Sequence, residues 1–251
     1  MAKQKGIIPL EGTIGNITFY KSRDGYLARE KGGIPADRIA NDPAFQRTRE
    51  NGEEFGRAGA AGKLLRTSFR ALLQNSADSR MVSRLTKEFM KVIQADATST
   101  RGQRNVIDGE TEMLKGFDFN IAGKLGTTLY APFTSSITRA SGELKVTIPP
   151  FVPVNMIAAP AGATHFKVVS AGSSVDFTTG VYTVDSAETA ILPIGAAATA
   201  AIDLVNNVGA ASTDPLFLVL GIEFYQEVNG ATYVLKNGAY NALNLVDVQG
   251  V

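Results

Sequence analysis

The chain has 251 residues, 44% of them hydrophobic and 20% charged, values ordinary for a folded globular protein and far from those of a disordered one. Cysteine and tryptophan are absent and histidine occurs once, at His165, which excludes disulfide frameworks, thiolate metal sites and cysteine nucleophiles and leaves a Ser-His-Asp triad one possible base. Net charge is +1, yet residues 1–115 hold 20 Lys and Arg against 14 Asp and Glu, a net of +6, while residues 116–251 hold 5 against 10, a net of −5. That asymmetry can bring opposite halves of neighbouring copies together, or mark a half that faces nucleic acid.

The N-terminus is basic but offers only a three-residue apolar run before Glu11, so no signal peptide is expected. No stretch approaches the roughly 18 uninterrupted apolar residues of a membrane span, the nearest being the Ala-rich run from Ile194 to Val205. The expected location is the cytoplasm at synthesis, with later release in a particle or extracellular assembly left open.

Residues 7–33 contain two β-prone runs, Ile14 to Lys21 and Tyr26 to Glu30, flanking Asp24-Gly25, which predicts a hairpin. A lone hairpin is marginal in water, so its aromatic face needs a host surface, either its own subunit or the sheet edge of a neighbour. Gly32-Gly33 and Pro35 break the chain, and Asp42-Pro43 supplies a helix cap followed by proline in the first turn. Leu64, Leu65, Phe69, Leu72 and Leu73 then recur at helical spacing as one buried stripe. A second helix is expected to bury Met81, Val82, Leu85, Phe89, Val92 and Ile93, making a helical hairpin, and a looser third segment runs from Arg101 to Lys115 across Gly109.

From Phe117 onward short runs of Val, Ile, Thr, Phe and Tyr alternate with Gly, Pro, Ser and Asn, an all-β pattern. A hairpin is expected across Ser141-Gly142, with strands at Phe166–Val169, Val181–Val184 and Ala190–Ile194. A final hairpin joins Leu216–Val228 to Ala231–Lys236 through Asn229-Gly230. Seven to nine strands at this spacing fit a sandwich or jelly roll better than a closed barrel. The expected class is α+β: a β-hairpin arm (1–40), a helical segment (41–115) and an antiparallel sandwich, jelly-roll or immunoglobulin-like (116–251).

Gly56, Gly59 and Gly62 precede Lys63, but a Walker-type phosphate loop would need glycine at Arg57, Ser or Thr at Leu64 and a preceding strand. Glycine at every third helical position instead predicts a smooth face for close packing, since each glycine costs about 1 kcal/mol against alanine. Arg80, Arg84, Lys87 and Lys91 share one helical face, a stripe that is either solvated, set against an acidic protein surface, or neutralising phosphates. Base-stacking aromatics are missing from that face. Glu53 and Glu54, or Glu110 and Glu112, are neighbours without a histidine partner, and no G-x-S-x-G elbow occurs. His165 falls in a strand-like run and reads as a strand-surface residue.

The opening Gly6-Ile-Ile-Pro-Leu-Glu-Gly12-Thr-Ile-Gly15-Asn16-Ile-Thr-Phe19-Tyr20-Lys21, followed by Gly25-Tyr26-Leu-Ala-Arg29-Glu-Lys31, resembles the start of a bacterial protein family. In that family a Gly-x-Ile/Val-Gly-Asn hairpin precedes a basic helical segment and a β-rich C-terminal domain. The resemblance covers about the first third of the chain and is architectural beyond Phe117. It implies a bacterial or phage source and brings no activity, cofactor or catalytic residue.

Together these features favour a non-enzymatic structural protein that assembles with copies of itself, into a ring, tube, filament or shell, or with other subunits of a larger assembly. The expected contact is the arm, through Ile14, Ile17, Phe19, Tyr20, Tyr26 and Leu27, adding strands to a neighbour's sheet. Two alternatives are a nucleic-acid-binding accessory protein using Arg80, Arg84, Lys87 and Lys91, and a carbohydrate-binding sandwich using Tyr225, Tyr233 and Tyr240. No catalytic, metal or cofactor site is expected.

Overall fold

The structure, a computed structural model, describes residues 2–6, 8–22, 24–30, 32–235 and 240–251. Arg23 of the first expected turn, Ile7 and Lys31 of the family motif, and Lys236 of the last hairpin lie outside the described residues. The chain divides into two compact units, Met1–Arg49 and Glu50–Val251.

The first unit holds a small antiparallel sheet of β1 (Ala2–Lys3), β2 (Gly12–Ile14), β3 (Ile17–Ser22) and β4 (Gly25–Glu30), in the order β1-β4-β3-β2. The expected hairpin is therefore part of a four-stranded sheet. Ser22 pairs with Gly25, so Gly25 opens β4 with φ +105°. A second tight turn at Gly15-Asn16 pairs Ile14 with Ile17, with Gly15 at φ +57°, a conformation glycine adopts without strain. After the sheet come α1 (Ala36–Asn41) and a 3-10 turn, Pro43–Phe45, capped by Asp42, whose Oδ1 accepts from the Ala44 N–H at 2.9 Å. Arg49 donates to the carbonyls of Ile39 and Asp42 at 2.7 and 3.0 Å.

α2 (Gln46–Ser68), which runs across the unit boundary, α3 (Arg70–Ser76) and α4 (Met81–Gln94) supply the helical layer. The expected stripe from Leu64 to Leu73 is not one helix. Ser68 Oγ turns back to the Leu65 carbonyl at 2.8 Å and α2 stops, leaving Phe69 as the buried hinge before α3. On α4, Met81, Leu85, Phe89, Val92 and Ile93 are buried as expected, but Val82, in the first turn of the helix, is exposed. The segment from Arg101 to Lys115 is mostly turns, with one 3-10 turn at Thr111–Leu114. It is folded over by Asp96, whose carboxylate accepts from the N–H groups of Thr98, Ser99 and Asn105.

The β-rich region begins with a short helix α5 (Leu125–Thr128), then β5 (Thr134–Thr138) and β6 (Glu143–Ile148), another short helix α6 (Pro153–Met156), and β7 (His165–Asp176), β8 (Val181–Glu188), β9 (Leu192–Pro193), β10 (Ile202–Asn207), β11 (Leu216–Val228), β12 (Ala231–Val234) and β13 (Ala242–Gln249). A three-stranded sheet, β10-β6-β5, faces a six-stranded one, β12-β11-β7-β8, in which β13 also pairs with β11 and β9 with β7. All pairings are antiparallel. The class is thus α+β with a C-terminal antiparallel sandwich.

The core sits on both faces of the larger sheet. On one side Leu216, Leu218, Leu220, Ile222 and Phe224 of β11 pack with Leu144, Val146 and Ile148 of β6 and Ile202 and Leu204 of β10. On the other, Phe217 and Val219 of the same strand pack with Leu65, Phe69, Leu85, Phe89 and Val92 of the helices. Residue 115 is therefore no boundary between cores: helices and sandwich share one, and both belong to the unit Glu50–Val251. Glycine is required at Gly142, which combines φ +74° with the Gly209 carbonyl standing where a Cβ would go. No helix of the described residues is long and apolar enough to cross a membrane.

Candidate assembly interface

In an antiparallel sheet, directly opposed residues point to the same face and neighbours along a strand alternate. The pairings Ile14 with Ile17, Ile17 with Glu30, Phe19 with Ala28, Lys21 with Tyr26 and Ala2 with Ala28 therefore place Ile14, Ile17, Phe19, Tyr26, Ala2 and Ala28 on one face of the N-terminal sheet, with Lys21 and Glu30 at its ends. Thr13, Thr18, Tyr20, Leu27 and Arg29 occupy the other. Four of the six residues expected to make the contact come together; Tyr20 and Leu27 are turned away from them. Ala2 and Ala28, which complete the apolar face, gave no signal in the sequence because alanine marks no strand.

Ile14 is 65% exposed and Ile17 45%, and no described residue of Met1–Arg49 is buried. The aromatic rings are only half covered. Lys21 Nζ lies 5.5 Å from the centre of the Tyr26 ring, and the Arg29 guanidinium 5.6 Å from that of Tyr20, contacts of modest strength at exposed sites. A shallow concavity of about 950 Å³ opens on the apolar side, lined by Ala2, Ile14, Asn16, Ile17 and Ala28 with Arg29 and Glu30 at its rim. Gln4 holds the crossing between β1 and β2 in place: it accepts from the Leu10 N–H at 2.9 Å and donates to the Leu27 carbonyl at 3.0 Å.

The glycine series does not form one close-packing face. A Cβ at Gly62 would meet Phe89 and Leu85 at 3.5 and 3.7 Å, ordinary contact distances, while Gly56 and Gly59 face open space. The helix turns by about 300° over three residues, so a spacing of three drifts off the buried side.

The basic stripe is divided as well. Arg84 is a structural residue: its guanidinium pairs with Asp78, donates to the Asp118 carbonyl at 2.8 Å and to that of Phe119 at 3.3 Å, and lies 5.0 Å from the centre of the Phe117 ring. Lys91 pairs with Glu88 at 2.5 Å. Arg80 and Lys87 are exposed. Burial pushes Asp78 up, but N–H groups of Ile121 and Arg80 and the Arg84 charge outweigh it and hold its carboxyl below the usual range.

Elsewhere, His165 begins β7, with Nδ1 2.8 Å from Thr164 Oγ1 and Nε2 3.6 Å from Glu227. Tyr225 is buried and donates to Glu223 at 3.0 Å, so it does not join Tyr233 and Tyr240, which are exposed, in a stacking surface. Among the described residues no three His, Asp or Glu side chains gather where a metal ion could sit.

A second surface went unsignalled in the sequence. Beside α2, a groove of about 900 Å³ is lined by Ala60, Leu64, Val106, Ile107, Phe177 and Tyr182, with Lys63 and Arg57 at its edge. Arg57 is engaged, donating to the Arg104 carbonyl at 2.9 Å. The groove joins residues from three distant stretches of chain, which no local pattern reveals.

No family model matches the chain, and no curated protein does. Among solved structures, 52% of the chain is similar to 95% of a chain from work on pH-induced modulation of Streptococcus parasanguinis adhesion by Fap1 fimbriae, at 12% identity and a TM-score of 0.21. Another 49% match covers 97% of the human F-spondin reeler domain, at 12% identity and a TM-score of 0.18. Both scores are below the level at which two chains share a fold.

Proposed function

We propose that this is a non-enzymatic structural protein that assembles with copies of itself through its N-terminal sheet. The observation that carries the reading is a four-stranded sheet with no buried residue among those described, presenting Ile14, Ile17, Phe19 and Tyr26 on one face. Small sheets gain stability when such a face packs against something else, and an exposed apolar patch on a short sheet with open edges marks an interaction surface. The unequal charge of the two halves supports contact between unlike parts of neighbouring copies.

Ile17→Lys tests this directly, because the position is exposed and the substitution leaves the buried core untouched. The expected result is a chain with unchanged thermal melting whose association, followed by sedimentation velocity, is lost or weakened at least tenfold. Association equal to that of the unaltered chain would remove the N-terminal sheet from the account.

A further inference from the structure

The six-stranded sheet has an open side along the first half of β8, Val181–Val184; the second half lies beside β10, whose Asn207 N–H donates to Asp185 Oδ2 at 2.8 Å. β7 pairs with β8 through eight residues without a register shift, and no strand of the described residues pairs with its other edge. Open edges are normally protected by lysine, proline or a bulge. The second half of β8 carries Asp185 and Glu188, but the first, Val181–Val184, has no charge, no proline and no bulge. It exposes Val181 at 63%, Tyr182 at 37% and Val184 at 41%. Because Tyr182 opposes Val175, whose side chain joins the helix-side core, Tyr182 and Val184 point to the side on which the groove beside α2 opens.

The β7–β8 stretch and the N-terminal stretch carry opposite net charge, with Arg57 and Lys63 the basic residues at the groove's edge. Residues 165–188 hold one Lys against two Asp and one Glu, a net of −2, while residues 1–33 hold six Lys and Arg against three Asp and Glu, a net of +3. Of the two outer strands of the N-terminal sheet, β1 has two residues and β2 has three, and β2 ends on the exposed Ile14 at the margin of the apolar face.

We propose, resting on the assembly reading above, that β2 of one copy adds to the β8 edge of a second copy. The larger sheet then continues from chain to chain, and Ile14, Ile17 and Phe19 cover Tyr182, Val184 and the mouth of the groove. Backbone pairing supplies affinity and the alternate side chains supply register. The contact is heterologous: each copy offers one donor and one acceptor, so repetition gives a ring if the rotation closes and a filament if it does not.

The test uses two full-length variants, Ile14→Lys to spoil the donor and Val184→Lys to spoil the acceptor, with circular dichroism melts confirming that each folds. Each alone is expected to stay monomeric at concentrations where the unaltered chain assembles. Mixed in equal amounts they are expected to form a 1:1 dimer, twice the 26.6 kDa of one chain, that grows no further, because one intact donor meets one intact acceptor. If Val184→Lys melts early, Tyr182→Lys, on the same side of the strand, takes its place. A mixture that stays monomeric, or a Val184→Lys chain that assembles as the unaltered one does, overturns the β8 contact while leaving self-assembly standing. An unaltered chain that never assembles overturns both.

Discussion

Ile14 and Ile17 face each other across the two-residue Gly15-Asn16 turn, both exposed, at the corner of a face that continues through Phe19 and Tyr26. The turn chemistry fixes this pairing: positive φ at Gly15 closes the hairpin with the twist that antiparallel strands require. One residue of slip between β2 and β3 would set Ile14 opposite Thr18 and put the two isoleucines on opposite faces. The pairing thus decides which side of the sheet carries the isoleucines and Phe19.

The two faces are expected to differ in association. Tyr26→Ser removes an aromatic ring from the apolar face and should weaken assembly about tenfold, in line with the loss of an aromatic contact. Tyr20→Ser, on the opposite face, should change it by less than twofold. Sedimentation equilibrium of the two variants side by side checks the assignment.

Arg84 should behave as a fold residue. Arg84→Ala strips the charge partner from Asp78 and leaves the Asp118 carbonyl without its donor, so a loss of about 2–3 kcal/mol in urea unfolding is expected. Lys87→Ala, at an exposed position on the same helix, should be neutral within about 0.5 kcal/mol.

Stability should fall in acid, and Asp96 is one cause. Burial pushes its carboxyl up, but hydrogen bonds from Ser99, Asn105 and Thr98 overcome this and hold it far below the ordinary range. A carboxyl with a depressed folded-state pKa stabilises the fold above its unfolded pKa of about 4 and loses that contribution as pH falls toward the folded value. Asp78 acts in the same direction. Thermal melts of the unaltered chain should therefore decline below about pH 4, and Asp96→Asn should melt lower at neutral pH with a flatter acid decline.

Gly142→Ala should destabilise the sandwich by about 2 kcal/mol or more, combining a strained left-handed backbone with a clash against the Gly209 carbonyl. A reduced urea midpoint at unchanged slope is the expected signature.

Much of the fold was legible locally. Asp42-Pro43, the Ser141-Gly142 and Asn229-Gly230 turns, and the helical spacing of Leu85, Phe89 and Val92 each carry their cause within a few residues of sequence. What was lost depends on contacts between distant stretches. Leu216 to Ile222 read as one strand, but its unbroken apolar run also means burial on both faces, which is why the helices join the sandwich core. β10 was obscured by the alanines before it, although Ile202, Leu204 and Asn206 alternate inward. Of the six residues expected at the contact, Ile14, Ile17, Phe19 and Tyr26 share a face, whereas the opposite orientation of Tyr20 and Leu27 follows only from the register. The groove at Leu64, Phe177 and Tyr182 exists only once α2 and the β7–β8 turn are side by side.

The most direct measurement is light scattering coupled to size-exclusion chromatography of the unaltered chain at low and high salt, with negative-stain images of the leading fraction. Assembly through strand pairing and an apolar face predicts ordered particles well above the 26.6 kDa of one chain that persist at high salt. A species at the mass of one chain in both conditions would contradict the account.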